Sequence, residues 1–397
     1  MQRAGDAPRL AIVGGGPAGA VAALVAARRG LRVTVLEART EPGLKVGETL
    51  PPGLTPLLRH LGLDAWLERD GHLRSQGNRS LWGSASPGES PFLANPFGTG
   101  WHVDRRRFEA RLAEAAQEAG AEWRWGCRLK SCTAQEKGWR LELSSADPLD
   151  ADFVADATGR QSRLARRLGA KRLRYDRLVG VSTLLESRTP AADTYTLVEA
   201  TPNGWWYSAL LSDGRLAVAF LSDGDLLDRS LRGAGADPVA WWQRLRQTTA
   251  TRERVERNGY QAAAPLRVLP AETSRLDAIV GDGWIALGDA AAAYDPLSSH
   301  GVASAMGSGF YGGHAVVDLL AGRSEARLAY LDLLQRAYGT CLDLQREHYR
   351  RETRWPDAPF WRRRHAESYG LTPGEPAPSM RSTTRGPRAE DGTGSPG

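Results

Sequence analysis

Lysine is scarce in this chain of 397 residues, so arginine carries almost all of the basic charge behind its net charge of +6. The lysines are Lys45, Lys130, Lys137 and Lys171. An arginine excess often reflects genome composition, and no nucleic-acid-binding motif accompanies it here. We therefore expect no nucleic-acid partner.

Cysteines and long apolar runs are scarce as well. Cys127, Cys132 and Cys341 are too few and too scattered for a zinc site or a disulfide framework. No apolar run approaches the roughly 20 residues of a membrane-spanning helix. The opening "MQRAGDAPRLAIVGGG" enters a strand without the apolar stretch of a secretory signal. The sequence thus predicts no metal site, no membrane association and a reduced, cytoplasmic protein.

The stretch "RLAIVGGGPAGAVAALVAARRGLRVTVLEAR" has the pattern of a dinucleotide-binding unit. "LAIV" predicts a buried parallel strand, the pattern G-x-G-x-x-G follows directly, and an alanine-rich helix is expected from Ala18 to Arg29. The glycines permit a tight turn and a close approach of backbone to pyrophosphate. "RVTVLE" predicts a second strand ending in a carboxylate that can bind ribose hydroxyls. The residues expected at the dinucleotide are Gly14, Gly16, Pro17, Ala18, Gly19, Glu37, Ala38 and Arg39.

A segment far along the chain favours FAD over NAD as that dinucleotide. "GDGWIALGDAAAAYDPLSSHG" ends a strand-like run at Asp289, passes through small residues to Pro296 and opens a helix at Gly301. It resembles the second FAD fingerprint of the glutathione-reductase-type flavoproteins. That resemblance implies that Asp289 meets the ribityl and pyrophosphate oxygens of FAD and that the following helix points at the isoalloxazine.

Two more segments agree with FAD. "FVADATGRQSRLARRLG" resembles the ADGxxS region of flavin monooxygenases, in a DATG variant. "HVDRRRFEARLAEAAQEAGAE" has Arg105 where family members carry an arginine near the adenosine half of FAD; the alternative is a solvated charge at a helix start. The FAD contacts expected from these later segments are Arg105, Gly159, Gly288, Asp289, Pro296, His300, Gly301 and Val302.

Taken in order, these motifs resemble the FAD-dependent monooxygenases of the para-hydroxybenzoate hydroxylase superfamily. "VGETLPPG", from Val46 to Gly53, brings the likeness closer to the branch of flavin-dependent halogenases and their relatives, which has a GE pair in a loop beside the flavin. Glu48 and Thr49 are therefore also expected at FAD. Glu48 either lines the active site or caps a helix beginning near Leu54.

The sequence departs from the halogenases themselves at three places. The segment from Val46 to Leu129 lacks the lysine that the resemblance leads one to expect. "NGWWYSALLSDGR" stands where the halogenases carry WxWxIP, and Ser298 replaces the glutamate of their DPLESTG. "GETLPP", "WWYS", "DPLSSHG" and "EHYRRETRWPDAPFWRRRH" instead resemble the LodB-, GoxB- and QhpG-like flavoproteins. That resemblance implies hydroxylation of a tryptophan in a peptide or partner protein.

The predicted fold class is α/β: a glutathione-reductase-type FAD-binding Rossmann domain, an inserted antiparallel β-sheet substrate domain and a C-terminal helical segment. Alternating strands separated by turns such as Ser212–Gly214 predict the inserted sheet, and Pro356 and Pro359 are expected to break the C-terminal helix. A tail rich in Pro, Gly, Ser and Thr is expected to be disordered. The domains are 8–75, 101–170 and 274–322 for FAD, 76–100 and 171–273 for substrate, 323–370 for a helical or lid segment, and 371–397 for the tail.

The resemblance implies that reduced FAD reacts with O2 to a C4a-hydroperoxide, which hydroxylates an electron-rich aromatic ring. His300, Glu48 and Ser299 are the catalytic candidates, with His300 either a base or a structural hydrogen-bond donor. Trp205 and Tyr207 share a strand face and either line the substrate site or belong to the sheet core. No second G-x-G-x-x-G is evident, so NAD(P)H binds transiently or a separate flavin reductase supplies electrons.

Four other functions stay open from the sequence. They are a flavin-dependent halogenase, a flavin reductase of isoprenoid double bonds (geranylgeranyl type), a tailoring oxygenase of a small natural-product intermediate and a non-catalytic FAD-binding partner protein. The aromatic segments at 205–207 and 355–361 favour an aromatic substrate, but the latter either closes over the cleft, docks a partner or simply packs.

Overall fold

The computed structural model describes residues 7–43, 47–233, 235–366 and 381–383. Its strands in chain order are β1 (Arg9–Val13), β2 (Arg32–Leu36), β3 (Thr49–Leu50), β4 (Leu73–Ser75), β5 (Gly77–Leu81), β6 (Gly88–Pro91), β7 (Gly100–His102), β8 (Glu122–Arg124), β9 (Leu129–Ala134), β10 (Trp139–Leu143), β11 (Leu149–Ala151), β12 (Phe153–Asp156), β13 (Arg172–Arg174), β14 (Leu178–Glu186), β15 (Thr196–Thr201), β16 (Gly204–Leu210), β17 (Leu216–Asp223), β18 (Gln261–Ala262), β19 (Arg267–Pro270), β20 (Ser274–Leu276), β21 (Ala278–Gly281), β22 (Trp284–Ala286), β23 (Ala292–Ala293) and β24 (Arg381–Thr383). The helices are α1 (Pro17–Arg28), α2 (Thr55–Leu61), α3 (Asp64–Arg69), α4 (Arg105–Glu118), α5 (Arg163–Arg167), α6 (Pro238–Leu245), α7 (Ala250–Arg257), α8 (Gly301–Leu320), α9 (Glu325–Arg350) and α10 (Pro359–His365).

The first sheet has seven strands in the order β24-β21-β22-β12-β1-β2-β8. β1 lies at its centre and pairs in parallel with both β2 and β12. The apolar residues of β1 are buried, because a central parallel strand is covered on both faces. α1 packs on this sheet, and α8 packs on α1 and on the turn at 288–290, so the N-terminal motif and the segment near 288–301 meet.

The second sheet has eight strands and is the predicted inserted sheet. Its order is β18-β14-β17-β16-β15-β5-β6, and β19 pairs with β14. The prediction of a purely antiparallel sheet is wrong at one place, since β5 pairs with β15 in parallel. The parallel pair arises because β5 and β6 come from an earlier part of the chain and add to the edge of the later meander.

The two faces of β16 bury their aromatics in different cores, as strand alternation predicts. Trp206 lies in a core with Phe220 and with Trp241 of α6. Trp205, on the other face, lies in a core with Trp361 of α10. The inserted sheet is therefore covered by α6 and α7 on one face and by the C-terminal helices on the other.

The C-terminal helices differ from the prediction in one detail. α9 ends at Arg350, before both prolines, and Pro359 does not break a helix but begins α10, where the missing N–H costs nothing. Phe360 and Trp361 are fully buried. These two aromatic side chains therefore pack in the core. The predicted disordered tail lies outside the described residues apart from β24, which pairs in parallel with β21.

Candidate active site

The glycines in the turn after β1 differ in what surrounds them: two face backbone atoms of the protein, and one faces open space. Gly14 has φ +109°, and a Cβ there would lie 2.3 Å from the carbonyl oxygen of Ala157. A Cβ on Gly19 would lie 2.0 Å from the carbonyl oxygen of Gly14. A Cβ on Gly16 would meet nothing within 4 Å. Gly14 and Gly19 are thus required by internal packing, whereas Gly16 keeps the backbone surface open.

Glu37 lies beside this turn. Its carboxylate accepts hydrogen bonds from the backbone N–H groups of Gly15 (2.8 Å) and Arg39 (2.9 Å). These two bonds hold the carboxylate at the carboxyl end of β2, next to the N-terminus of α1. That is the position from which it can bind ribose hydroxyls.

Small residues let α8 lie against α1. A Cβ on Gly309 would lie 2.3 Å from the carbonyl oxygen of Ala18, and one on Gly313 would lie 3.0 Å from Cβ of Val25. These pairings make the helices roughly parallel. Neither N-terminus is capped by a side chain, so backbone N–H groups of both are available to an electron-rich ligand.

The segments containing Gly159 and Asp289 are tied together by arginines that the sequence analysis did not single out. Arg172 donates to Oγ of Ser162 (2.6 Å) and to the backbone carbonyl of Asp289 (2.9 Å). The Asp289 carboxylate lies 3.7 Å from Nε of Arg160. Asp289 itself is partly exposed and so is accessible to a ligand. No local sequence pattern signals Arg172, because strand pairing between β13 and β20 brings it here.

Arg105 is not a solvated helix-start charge. Its side chain is 10% exposed, and its guanidinium pairs with Glu109 at 2.6 Å. It also donates to the backbone carbonyl of Gly47 at 3.0 Å. Arg105 therefore anchors the loop that carries Glu48.

Glu48 is buried and does not cap a helix. The short 3-10 helix Pro52–Leu54 and α2 begin without a side-chain cap, so the capping alternative is wrong. Oε2 of Glu48 accepts from the N–H of Gly47 (3.0 Å) and lies 3.4 Å from Oη of Tyr207. Burial raises the pKa of Glu48, and backbone N–H groups and Arg105 oppose that shift.

Tyr207 connects Glu48 to buried hydroxyls that sequence reasoning missed. Oη of Tyr207 lies 2.9 Å from Oγ1 of Thr49, which lies 3.2 Å from Oγ1 of Thr196. Nε2 of His102 lies 2.9 Å from Oγ1 of Thr196. Burial lowers the pKa of His102 to about 4, aided by Arg254. Nothing in the local sequence marks His102 or Thr196, which come from β7 and β15.

His300 and Ser299 lie apart from this group, at the start of α8. His300 is exposed and its Nδ1 contacts the backbone carbonyl of Ser298. Ser299 has φ +52°, which is unusual for a residue other than glycine and marks local backbone strain. No described contact joins His300 to Glu48.

Asp295 of the same loop is held from behind by α9. Its Oδ2 accepts from Oη of Tyr349 (2.7 Å) and Nε2 of Gln345 (3.1 Å). Burial, with the nearby Asp176, raises the pKa of Asp295 to about 6. Trp205 donates to the same Tyr349 hydroxyl at 3.1 Å and is buried, so it reaches this loop through Tyr349.

The residues present fit FAD. Gly16 and the N-terminus of α1 offer an open backbone surface for a pyrophosphate, and Glu37 and the partly exposed Asp289 offer carboxylates. Among the described residues, none form a group of three or more His, Cys, Asp or Glu placed to hold a metal ion. Within the same residues, no helix has the length and apolar character needed to cross a bilayer.

Comparisons with known proteins agree with this assignment. A family described as tryptophan halogenase matches residues 78–374, and an NAD(P)-binding Rossmann-like domain matches residues 12–60. LodB of Marinomonas mediterranea, named as an FAD-dependent oxidoreductase, is 30% identical over 364 residues, which cover 90% of this chain and 96% of LodB.

Two solved structures show the same fold. The myxobacterial chondrochloren halogenase CndH has a TM-score of 0.82 at 23% identity and covers 90% of this chain and 86% of its own. The peptidyl tryptophan dihydroxylase QhpG, essential for tryptophylquinone cofactor biogenesis, has a TM-score of 0.74 at 26% identity, covering 91% and 79%. The predicted α/β fold with an FAD-binding Rossmann domain is confirmed. The chain belongs to the tryptophan halogenase family, and it is an FAD-dependent oxidoreductase of that family.

Proposed function

We propose that this protein is an FAD-dependent monooxygenase that hydroxylates an electron-rich aromatic ring, the indole of a tryptophan in a peptide or partner protein. The observation that carries the proposal is the similarity to the peptidyl tryptophan dihydroxylase QhpG over 91% of this chain. The absence of lysine between Val46 and Leu129, and Ser298 in place of a glutamate, support hydroxylation over halogenation.

In this proposal the cofactor-binding role falls to residues 8–75, 101–170 and 274–322, and the sheet of 76–100 and 171–273 covers the substrate. FAD, when bound, supplies the activation of O2, and its electrons come from NAD(P)H or a separate flavin reductase. Tyr349, in the predicted helical or lid segment, supports the site through its hydrogen bond to Asp295.

The chain's own residues divide the remaining tasks. Glu48, buried in the loop that Arg105 holds, contributes a hydrogen bond toward the reacting centre. His300, exposed at the start of α8, accepts the proton that the ring loses when it becomes aromatic again. Ser299 fixes the loop conformation that presents His300, and Tyr207 forms part of the substrate wall.

The test is a single-turnover reaction of the reduced, FAD-loaded protein with ¹⁸O2 and a tryptophan-containing peptide. A product heavier by one labelled oxygen, located on the indole by fragment mass spectrometry, is expected, because one reduced flavin and one O2 insert one oxygen atom and release the other as water. The same peptide with phenylalanine in place of tryptophan is the control. Reoxidation of the flavin without label in any peptide, across a panel that includes proteins encoded near this chain, would contradict the proposal.

Halogenation is the second candidate, because the matching family model is that of the tryptophan halogenases and spans residues 78–374. The same reaction with bromide present distinguishes the two. A brominated peptide, recognised by its paired isotope peaks, would assign halogenation. A labelled oxygen in an unbrominated peptide would assign hydroxylation.

A further inference from the structure

Polar side chains form a continuous buried line inward from the loop that carries Glu48. The line runs from Oε2 of Glu48 to Oη of Tyr207 (3.4 Å), Oγ1 of Thr49 (2.9 Å), Oγ1 of Thr196 (3.2 Å) and Nε2 of His102 (2.9 Å). Glu48, Thr49, Thr196 and His102 are buried, and His102 is 0% exposed. Within such a row each hydroxyl can donate one hydrogen bond and accept another.

The direction of the donors starts at Oε2 of Glu48. The backbone N–H of Gly47 donates to this oxygen, and the hydroxyl of Tyr207 donates to it as well. Tyr207 therefore accepts from Thr49. Continued along the row, Thr196 donates to Thr49, and Nε2–H of His102 donates to Thr196. The tautomer of His102, at the far end, thus fixes the orientation of every hydroxyl up to Glu48.

We propose that His102 is a positioning residue that acts through Thr196, Thr49 and Tyr207 to set the protonation of Glu48, and so what Glu48 presents to FAD. The inference rests on the proposed function only in the use that the reaction makes of the Glu48 carboxyl group.

Charged groups lie near both ends of the row. Arg105 faces Glu48, and Arg254 and Asp193 face His102. Burial raises the pKa of Glu48 and lowers that of His102 to about 4, so burial disfavours a charge at either end of the row. Burial also raises the pKa of Tyr207, which keeps its hydroxyl proton available to Glu48.

The test is a pH titration of the visible absorption of FAD bound to the protein, with FAD affinity measured at each pH. A transition that disappears in Glu48→Gln reports the carboxyl of Glu48. Thr196→Val cuts the row three links from Glu48. Tyr207 then donates less strongly, and the midpoint is expected to rise by about half a pH unit to one pH unit.

Thr183→Val is the matched control, because Thr183 is a buried threonine of the same sheet whose hydroxyl bonds to the backbone carbonyl of Ala264 at 2.6 Å. It should leave the midpoint unchanged, and Thr196→Ser should restore it. If Thr196→Val does not fold, Tyr207→Phe removes the last link and is expected to raise the midpoint at least as much.

Three results would overturn the inference: no transition sensitive to Glu48→Gln, a midpoint unmoved by Thr196→Val or Tyr207→Phe, or an equal shift in Thr183→Val. None of these readouts uses a substrate. A failure to hydroxylate peptides would therefore count against the proposed function alone, and an unmoved midpoint against this inference alone.

Discussion

At the scale of single residues, the motif glycines after β1 serve two different purposes. Gly14 holds a left-handed conformation against the backbone of Ala157, so the fold itself excludes a side chain there. Gly16 is extended (φ −73°, ψ −177°), a conformation that any residue adopts, and its Cβ position is open. The fold therefore does not require glycine at this position, whereas a ligand that approaches the backbone there would.

Substitution by alanine separates these purposes. Gly16→Ala should leave the melting temperature of the FAD-free protein nearly unchanged and weaken FAD binding by about tenfold or more. Gly14→Ala should lower the free energy of unfolding by at least about 1–3 kcal/mol, because it forces alanine to a strained φ and into a backbone oxygen. Thermal unfolding and titration with FAD measure both. Wild-type FAD affinity in Gly16→Ala would contradict the assignment of Gly16 to the pyrophosphate.

Residues within one local motif could be predicted from the sequence, and residues joined by distant pairing could not. Gly16 and Glu37 lie on either side of one strand–turn–helix unit, where spacing alone fixes the geometry. His102 and Thr196 meet only because β7 and β15 belong to sheets that pack together, and no periodicity records that contact. The burial of Arg105 likewise depends on Glu109 and on the loop above it.

At the scale of elements, the pattern of apolar and polar residues predicted which segments form strands and helices. It did not predict which strands pair with each other. Alternation correctly assigned the opposite faces of Trp205 and Trp206. The parallel pairing of β5 with β15 joins segments more than a hundred residues apart and has no local signal. The contact of α9 with the loop at Asp295 is of the same kind, and it links the C-terminal helices to the site.

That contact predicts a pH-dependent effect of Tyr349→Phe. The pKa of Asp295 is raised from 3.8 to about 6, so its stabilising contribution is complete below pH 3.8 and is lost as pH rises through 6. Tyr349 donates to this carboxylate and limits the loss. Removing the hydroxyl should cost about 1.5–3 kcal/mol above pH 6, where Asp295 is ionised, and less near pH 4. Urea unfolding at both pH values measures the difference.

Tyr338→Phe is the control on the same helix. Tyr338 is buried, and its hydroxyl has no hydrogen-bond partner among the residues that the structure describes. Its removal should be neutral or stabilising at either pH, since it ends the burial of an unsatisfied polar group. An equal loss in Tyr349→Phe at both pH values would mean that Tyr349 only packs and does not stabilise the ionised Asp295.

At the scale of the whole molecule, the helices α9 and α10 cover one of the two faces of the inserted sheet. The aromatic core on that face contains Trp205, Phe360 and Trp361 and is separate from the core of the FAD-binding sheet. A buried ion pair fastens α10 to β17: Arg364 contacts Asp223 at 2.7 Å, with side chains 1% and 3% exposed. The last helix of the described chain thereby closes a sheet that begins near residue 77.

Asp223→Asn should therefore destabilise the inserted sheet far more than the loss of a surface ion pair would. It removes the carboxylate that pairs with the buried guanidinium of Arg364, at a cost of about 3–5 kcal/mol. Asp228→Asn is the control: it breaks the pair between Arg244 and the exposed Asp228 and should cost below about 1 kcal/mol. Because the cores are separate, tryptophan fluorescence of Asp223→Asn should change at lower urea than release of FAD does, and the gap between the two should be smaller in the wild-type protein. Coincident transitions in Asp223→Asn would mean that the sheet and the FAD-binding fold unfold as one unit even without this fastening.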